Sequence, residues 1–129
     1  MVDLKSQYLK IKDEIDSGIA RVINNTEFIN GQDVKDFRKE LATYLNVGNV
    51  ITCGNGTDAL QIAMMALGLK PGDEVISTDF TFIATVETIA LLQLTPVMVD
   101  VDPETYLINP DEIEKAITPR TKAIVPVHL

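Results

Sequence analysis

The chain has 129 residues, 46% of them hydrophobic, and a formal net charge of -8 at pH 7. That length and apolar share suffice for one buried core, while the acidic balance excludes sequence-independent nucleic-acid binding, because the eleven Lys and Arg are scattered and form no basic stripe. One cysteine excludes an intrachain disulfide, no Cys/His cluster supports structural zinc, and no run reaches the roughly 18 apolar residues of a membrane span, so a cytoplasmic protein without nucleic-acid or membrane partners is expected.

Behind Asp3 as an N-cap, Leu4, Tyr8, Ile11, Ile15, Ile19 and Val22 recur every three or four residues. This spacing predicts one amphipathic helix ending near Asn24 and Asn25. After a connector over 26–31, Val34, Phe37, Leu41 and Tyr44 predict a second helix that stops at 46–48. The apolar run 50–53 then predicts a strand. It breaks at Gly54 and Gly56 and restarts at once as an alanine-rich helix over 58–67, with Thr57 in the N-cap position and Gly68 as its stop. Glycines let a backbone turn tightly and approach a ligand, and a helix start leaves N–H groups and the positive dipole end free. The stretch is therefore built as an anion cradle. Its spacing is neither G-x-x-x-x-G-K-[ST] nor G-x-G-x-x-G, so the common nucleotide motifs do not account for it. Cys53 is expected in core packing.

From there strands and helices alternate. A turn at Lys70-Pro71-Gly72-Asp73 leads to a strand over 74–77, a helix over about 82–92, a strand over 97–100, a helix opened by Asn109-Pro110-Asp111 and a strand over 123–127. Parallel crossovers need helix-length connections, so the pattern predicts an α/β fold, a three-layer α/β/α arrangement with a mostly parallel sheet. Ligands of such sheets bind beyond the C-terminal strand ends, where the 54–57 and 78–82 loops are both expected. Residues 123–129 read as a buried strand. A last strand without its crossover helix would leave one sheet face bare, so the chain is expected to be part of a longer one. Asp100 and Asp102 are explained more simply by an Asx turn before Pro103 than by metal binding. Glu112 and Glu114 are read as a solvated helix face. His128, the only histidine, has no triad pattern around it and is not assigned a chemical role.

Six blocks occur in order: Phe28-Ile29-Asn30-Gly31, Gly56-Thr57-Asp58-Ala59-Leu60, Pro71-Gly72-Asp73-Glu74-Val75-Ile76, Thr81-Phe82-Ile83-Ala84-Thr85, Pro96-Val97-Met98-Val99-Asp100, and the run from Ile117-Thr118-Pro119-Arg120-Thr121-Lys122 to His128. Through them the chain resembles the DegT/DnrJ/EryC1/StrS family of sugar-nucleotide aminotransferases, pyridoxal 5'-phosphate enzymes of the aspartate aminotransferase fold. Any one block alone is weak, since G-T-x-A-L also occurs in unrelated helices. Together they cover essentially the whole chain. The resemblance implies the N-terminal portion of the large domain of a fold-type I transferase, with 1–48 as leading helices and 49–129 as the alternating part.

The resemblance further implies that the Gly56 and Thr57 amides and the Thr57 hydroxyl hold the cofactor phosphate, with the Asp58 amide nearby. The Asp58 carboxylate would repel a phosphate, so it is expected to turn toward the helix dipole or a basic neighbour. Without the family context Thr57 and Asp58 would simply cap a buried helix. Phe82 would stack on the pyridine ring, where a flat aromatic face excludes water; Phe80 is its rival for that role. Thr81, Thr85 and Glu87 are read as helix-start and structural residues. The lysine that carries the cofactor and the carboxylate that pairs with its ring nitrogen are expected beyond Leu129, and none of the eight lysines present falls in the family's lysine block.

The implied reaction converts a keto sugar nucleotide to an amino sugar nucleotide, with glutamate as the amino-acid donor, for surface polysaccharide or lipopolysaccharide biosynthesis. The wording Val2-Asp3-Leu4-Lys5 and Asn55-Gly56-Thr57-Asp58-Ala59-Leu60-Gln61 is most similar to enzymes that aminate a 3-keto UDP-N-acetyl-glucuronic acid. Family members are homodimers whose partner completes each site, and the 28–31 connector is a candidate contributor. Two other readings stand beside this one: a sugar dehydratase of the same family, which replaces the lysine, and a non-catalytic α/β remnant that binds another phosphate compound at 54–57. The 129-residue polypeptide by itself is expected to bind pyridoxal phosphate weakly at most and to aminate no keto sugar. Turnover by the purified polypeptide would overturn that expectation.

Overall fold

The computed structural model describes residues 2–128; Met1, and Leu129 at the end of the terminal apolar run, lie outside the described residues. The chain divides into two compact units, Met1–Thr52 and Cys53–Leu129. No helix among the described residues is long and apolar enough to cross a membrane.

The first unit is helical: α1 (Leu4–Lys10), α2 (Lys12–Asn25) and α3 (Gln32–Leu45). Asp3 caps α1 as its type suggests, accepting from the Ser6 N–H at 3.0 Å and the Ser6 hydroxyl at 2.6 Å. The single helix expected from Leu4 onward is instead two, because Ile11 leaves helical geometry at φ -121°, ψ 18°. Across this break the Tyr8 hydroxyl donates to Asp16 at 2.7 Å, and Lys12 pairs with the same carboxylate. Eight residues of straight helix would separate Tyr8 from Asp16 by about 12 Å along the axis, a span that the break shortens. Thr26 and Asn46 end α2 and α3 in the left-handed region, and the N–H groups of Thr26 and Glu27, and of Asn46 and Val47, return to carbonyls of the last turns. Arg21 bonds Asp33 at 2.6 Å and ties α2 to α3. The apolar stripe of α2 stays open: Ile15, Ile19 and Ile23 are all exposed, and none of the three helices contributes a buried residue.

The second unit runs α4 (Gly56–Ala66), β1 (Glu74–Thr78), α5 (Ala84–Leu91), β2 (Thr95–Val99), α6 (Pro110–Ala116) and β3 (Thr121–Val125). Its three strands form one parallel sheet in the order β2-β1-β3. Parallel crossovers are right-handed, and the path from β1 to β2 runs opposite to that from β2 to β3, which places α5 on one face and α6 on the other. Central β1 is accordingly buried at every residue. Val75 meets Met64 of α4, Ile89 of α5 and Leu94 in the core cluster, with Ala123 and Val125 of β3 packed against it. Burying an aliphatic side chain of this size contributes about 1.5–3 kcal/mol. The turn before β1 is set by Gly72 at φ +88°, with Asp73 N–H bonded to the Lys70 carbonyl and the Asp73 carboxylate accepting from Lys70 N–H. Asn109 caps α6, accepting from Asp111 N–H with Pro110 in the first turn, as the Asn-Pro-Asp signal indicates.

Several boundaries differ from the sequence reading. Residues 50–53 form no strand: they pair with no neighbouring strand, Ile51 is exposed, and the Val50 carbonyl accepts from the Arg38 guanidinium at 2.9 Å. Helix α5 begins at Ala84, because Phe82 and Ile83 form the turn that precedes it. The last strand is an edge and only half-buried, with Lys122 and Ile124 exposed on the side opposite the core cluster.

The sheet is closed at its N-terminal edge by a buried charge. The Glu74 carboxylate accepts from the Thr118 hydroxyl at 2.5 Å, from Arg120 Nε at 2.8 Å and Nη2 at 2.5 Å, and from the Thr121 hydroxyl at 3.5 Å. The Thr118 hydroxyl and then the Arg120 guanidinium hold this carboxyl below the usual glutamate range. A lowered folded value means the native state resists protonation more than the unfolded chain does. Its stabilisation is complete above the ordinary glutamate value, about 4.3, and fades as the pH falls from there through the folded value. A Glu74→Gln variant should therefore melt below the wild type at neutral pH, with the gap closing in acid. Thermal melts from pH 7 to pH 3 check this, and a gap that does not change with pH would overturn it.

Candidate functional site

The start of α4 is built by Asn55, not by Thr57. Asn55 is extended at φ -167°, ψ 177°, and its Oδ1 accepts from the Asp58 N–H at 2.9 Å, so it is the N-cap and Thr57 lies inside the first turn. Its other side-chain atom is also engaged: Asn55 Nδ2 donates to Asp58 Oδ2 at 3.1 Å. The reciprocal pair turns the Asp58 carboxylate back over the cap. This is the diversion that electrostatics demands, with an uncharged amide as its destination in place of a basic neighbour. Gly54 permits it, since a Cβ at that position would lie 2.9 Å from Asp58 Oδ2.

What remains open is a compact set of donors. The Asp58 N–H is committed to Asn55, and the Ala59 N–H to the Asn55 carbonyl. Among the described residues neither the Gly56 N–H, the Thr57 N–H nor the Thr57 hydroxyl has an intrachain partner. A Cβ on Gly56 would meet nothing within 4 Å. Two amides and a hydroxyl at the positive end of an eleven-residue helix, facing free space, fit a phosphate group. Cys53 sits beside this turn, exposed, with its thiol directed to the Asn55 carbonyl at 3.4 Å; it is not in the core, because the strand expected to carry it inward does not form.

Phe82 stands in the loop that leaves the C-terminal end of β1. Its carbonyl accepts the Thr85 N–H at 3.0 Å and helps start α5, while the residue as a whole is 76% exposed. Thr81 and Thr85 share a hydroxyl bond of 2.8 Å at the same helix start. The rival ring, Phe80, is already partnered: its centroid lies 5.5 Å from that of Tyr106 at a tilt of 35°. Of the two, Phe82 is the free aromatic face. Helices α4 and α5 pack on each other, yet no hydrogen bond joins the 55–58 turn to the 79–82 loop among the described residues.

The other candidates separate from this site. Asp102 makes an Asx turn, accepting from the N–H groups of Glu104 and Thr105 and from the Thr105 hydroxyl; these bonds, the Thr105 N–H foremost, hold its carboxyl below the usual range. No cluster of His, Cys, Asp and Glu able to hold a metal occurs among the described residues. His128 follows β3 and is exposed. Sequence reasoning missed Asn55, although an Asn three residues before an Asp at a helix start is a legible capping signal. It also missed Tyr106, which nothing in the local pattern marks.

Known proteins extend this picture. A 3-oxo-sugar enzyme of Pseudomonas aeruginosa, UDP-2-acetamido-2-deoxy-3-oxo-D-glucuronate aminotransferase, is 54% identical over 99% of this chain and 36% of its own length. The UDP-N-acetyl-3-dehydro-alpha-D-glucosamine 3-aminotransferase of Acidithiobacillus ferrooxidans is 46% identical over the whole chain and 35% of its own. In three dimensions, the NtdA protein of Bacillus subtilis, solved with bound cofactor PMP, superposes with a TM-score of 0.89 at 42% identity, over 93% of this chain and 28% of that one. The chain thus spans about a third of the length of the curated relatives it matches. The DegT/DnrJ/EryC1/StrS aminotransferase family model matches residues 9–129, and with these identities and this shared α/β fold the chain belongs to that family.

Proposed function

We propose that this chain is the cofactor-anchoring part of a pyridoxal phosphate-dependent sugar aminotransferase, working in a protein of its relatives' full length as a homodimer in the cytoplasm. The observation that carries the reading is the open donor set at α4: the Gly56 and Thr57 amides and the Thr57 hydroxyl, at a helix start whose own carboxylate is turned away. Bound there, pyridoxal phosphate would supply a carbonyl that receives the amino group and a ring that delocalises negative charge.

The residues of this chain bind and shield. The two amides and the hydroxyl fix the phosphate, which sets the position of the ring to which it is attached. Phe82 presents a flat apolar face of the same size as a pyridine and would exclude water from one side of it. Asn55 keeps the Asp58 charge off the phosphate by holding its carboxylate at 3.1 Å from an amide nitrogen. Asp58 then serves the site as part of the cap, its N–H already engaged. Nothing in this chain needs to move a proton at the reacting carbon, a task that belongs to the family's lysine.

For substrate we propose a 3-keto UDP-N-acetyl sugar, its glucuronate form first, with glutamate as donor. The two relatives whose names specify such substrates match 54% and 46% of the residues, and the Asn55 to Gln61 wording points the same way. Incubating a full-length holoenzyme with UDP-2-acetamido-2-deoxy-3-oxo-glucuronate and glutamate should yield 2-oxoglutarate and the 3-amino sugar nucleotide. Formation of neither product would overturn the substrate reading. In the same enzyme Thr57→Val should weaken cofactor retention by about 1–3 kcal/mol, the scale of a hydrogen bond to a charged group. Equilibrium dialysis of pyridoxal phosphate measures this, and an unchanged affinity would count against the cradle.

A further inference from the structure

We propose that Tyr106 is a positioning residue that holds the Phe82 loop through Phe80; the proposal rests on the reading that Phe82 packs against the cofactor ring. Tyr106 lies in the turn between β2 and α6 with φ at +59°, a left-handed conformation that L side chains seldom adopt. The turn is tightly closed. Asp102 N–H bonds the Leu107 carbonyl at 2.8 Å, Tyr106 N–H bonds the Asp102 carbonyl at 2.8 Å, the Asp102 carboxylate collects Glu104 and Thr105, and Val101 bridges Ile108. For such a turn alone glycine or asparagine would serve better at the left-handed position. A large aromatic residue there is accounted for by what its ring touches, and the ring touches Phe80.

Phe80 belongs to the short segment that carries Phe82. That segment is held on the strand side by the Phe80 N–H to the Thr78 hydroxyl at 3.1 Å and by the Asp79 N–H to the Val99 carbonyl at 3.4 Å. On the helix side it is held by the bond between the Thr81 and Thr85 hydroxyls. Both attachments fix the ends of the segment. Phe80, half exposed, has Tyr106 as its aromatic partner from the next crossover, the two ring centroids lying 5.5 Å apart. Removing that partner leaves the backbone bonds in place, including Thr81 N–H to the Asp79 carbonyl at 3.1 Å and Thr85 N–H to the Phe82 carbonyl, and releases the Phe80 ring two residues before Phe82. Tilted aromatic pairs at this separation are favourable beyond their buried area, so the contact is strong enough to bias a loop. Backbone strain retained beside a prospective site has the same direction: it is tolerated where the side chain is needed.

The test uses a full-length holoenzyme loaded with pyridoxal phosphate, reading the circular dichroism of the bound cofactor in the visible range, its dissociation constant and the melting temperature. Tyr106→Gly removes the ring and also relieves the turn, so a merely structural Tyr106 and a positioning one give different results. The proposal expects an altered cofactor dichroism and a dissociation constant raised about two- to tenfold, the scale of one aromatic pair, without a lower melting temperature. Tyr106→Phe keeps the ring contact and should restore the wild-type signal. Should Tyr106→Gly fail to fold, Phe80→Leu breaks the same contact from the other side and decides the matter by the same readings. Unchanged dichroism and affinity on loss of the pair, while Phe82→Leu does change them, would overturn the positioning role alone. Unchanged readings in Phe82→Leu would overturn the stacking reading, and the present proposal with it.

Discussion

The second unit depends on a carboxylate that locks the register of its parallel sheet at one edge. β1 and β3 lie some 45 residues apart in sequence, and a backbone ladder alone would allow β3 to slip along β1. A slip of one residue exchanges the two faces of a strand. In β3 it would turn Lys122 and Ile124 toward the core cluster and Ala123 and Val125 away from it. Glu74 opposes the slip as well: its oxygens are met by Thr118 and Arg120, in the turn just before β3, and by Thr121, the first residue of β3, and the irregularity between Glu74 and Val75 absorbs the residue that the clamp leaves over. A charge in a nearly buried position is costly unless fully partnered. Here every buried side-chain polar atom among the described residues has a partner, so the cost is met locally.

Fixing the N-terminal edge fixes the opposite one. Because all three strands are parallel, their C-terminal ends emerge together, and the segments that follow them are the 79–83 loop, the 100–109 turn and the residues after Val125. This is why Phe80 and Tyr106, which belong to different crossovers, can meet. The contact between them joins the C-terminal end of β1 to that of β2 above the sheet, as the Gly72 and Thr95 backbone bonds join the N-terminal ends of the same strands below it. Register, and with it the spacing of the C-terminal ends, is therefore a condition for any site built on this edge.

Much of this was legible in residues. Pro71-Gly72-Asp73 and Asn109-Pro110-Asp111 name their turn and cap because proline and glycine restrict the backbone locally, and the 3.6-residue spacing of apolar positions locates the helices for the same reason. The apolar run 50–53 forms no strand because such a run describes a side-chain pattern, while a strand also needs a neighbour to receive its hydrogen bonds. The break at Ile11 leaves no mark in a periodicity that continues through it; it is bridged by a hydrogen bond between Tyr8 and Asp16, which periodicity does not encode. At the candidate site the location was legible and the division of labour was not. Gly54 looked like a ligand-facing glycine, but it makes room for a carboxylate, whereas Gly56 faces open space.

That division bears on how an acidic residue can stand in the proposed anion site. A helix offers four free N–H groups at its start, and a carboxylate in the first turn competes with any external anion for them. Here the competition is removed by a third party. Asn55 takes the Asp58 N–H with its oxygen and the Asp58 carboxylate with its nitrogen, so the negative group is bound by an amide outside the ladder and the first two N–H groups stay free. The arrangement needs a residue without a Cβ at 54 and a side chain with both a donor and an acceptor at 55. An aspartate at 55 could cap the helix equally well but would set two carboxylates against each other, and a serine would lack the second atom. The amide is therefore the part of the cradle that makes Asp58 compatible with a phosphate.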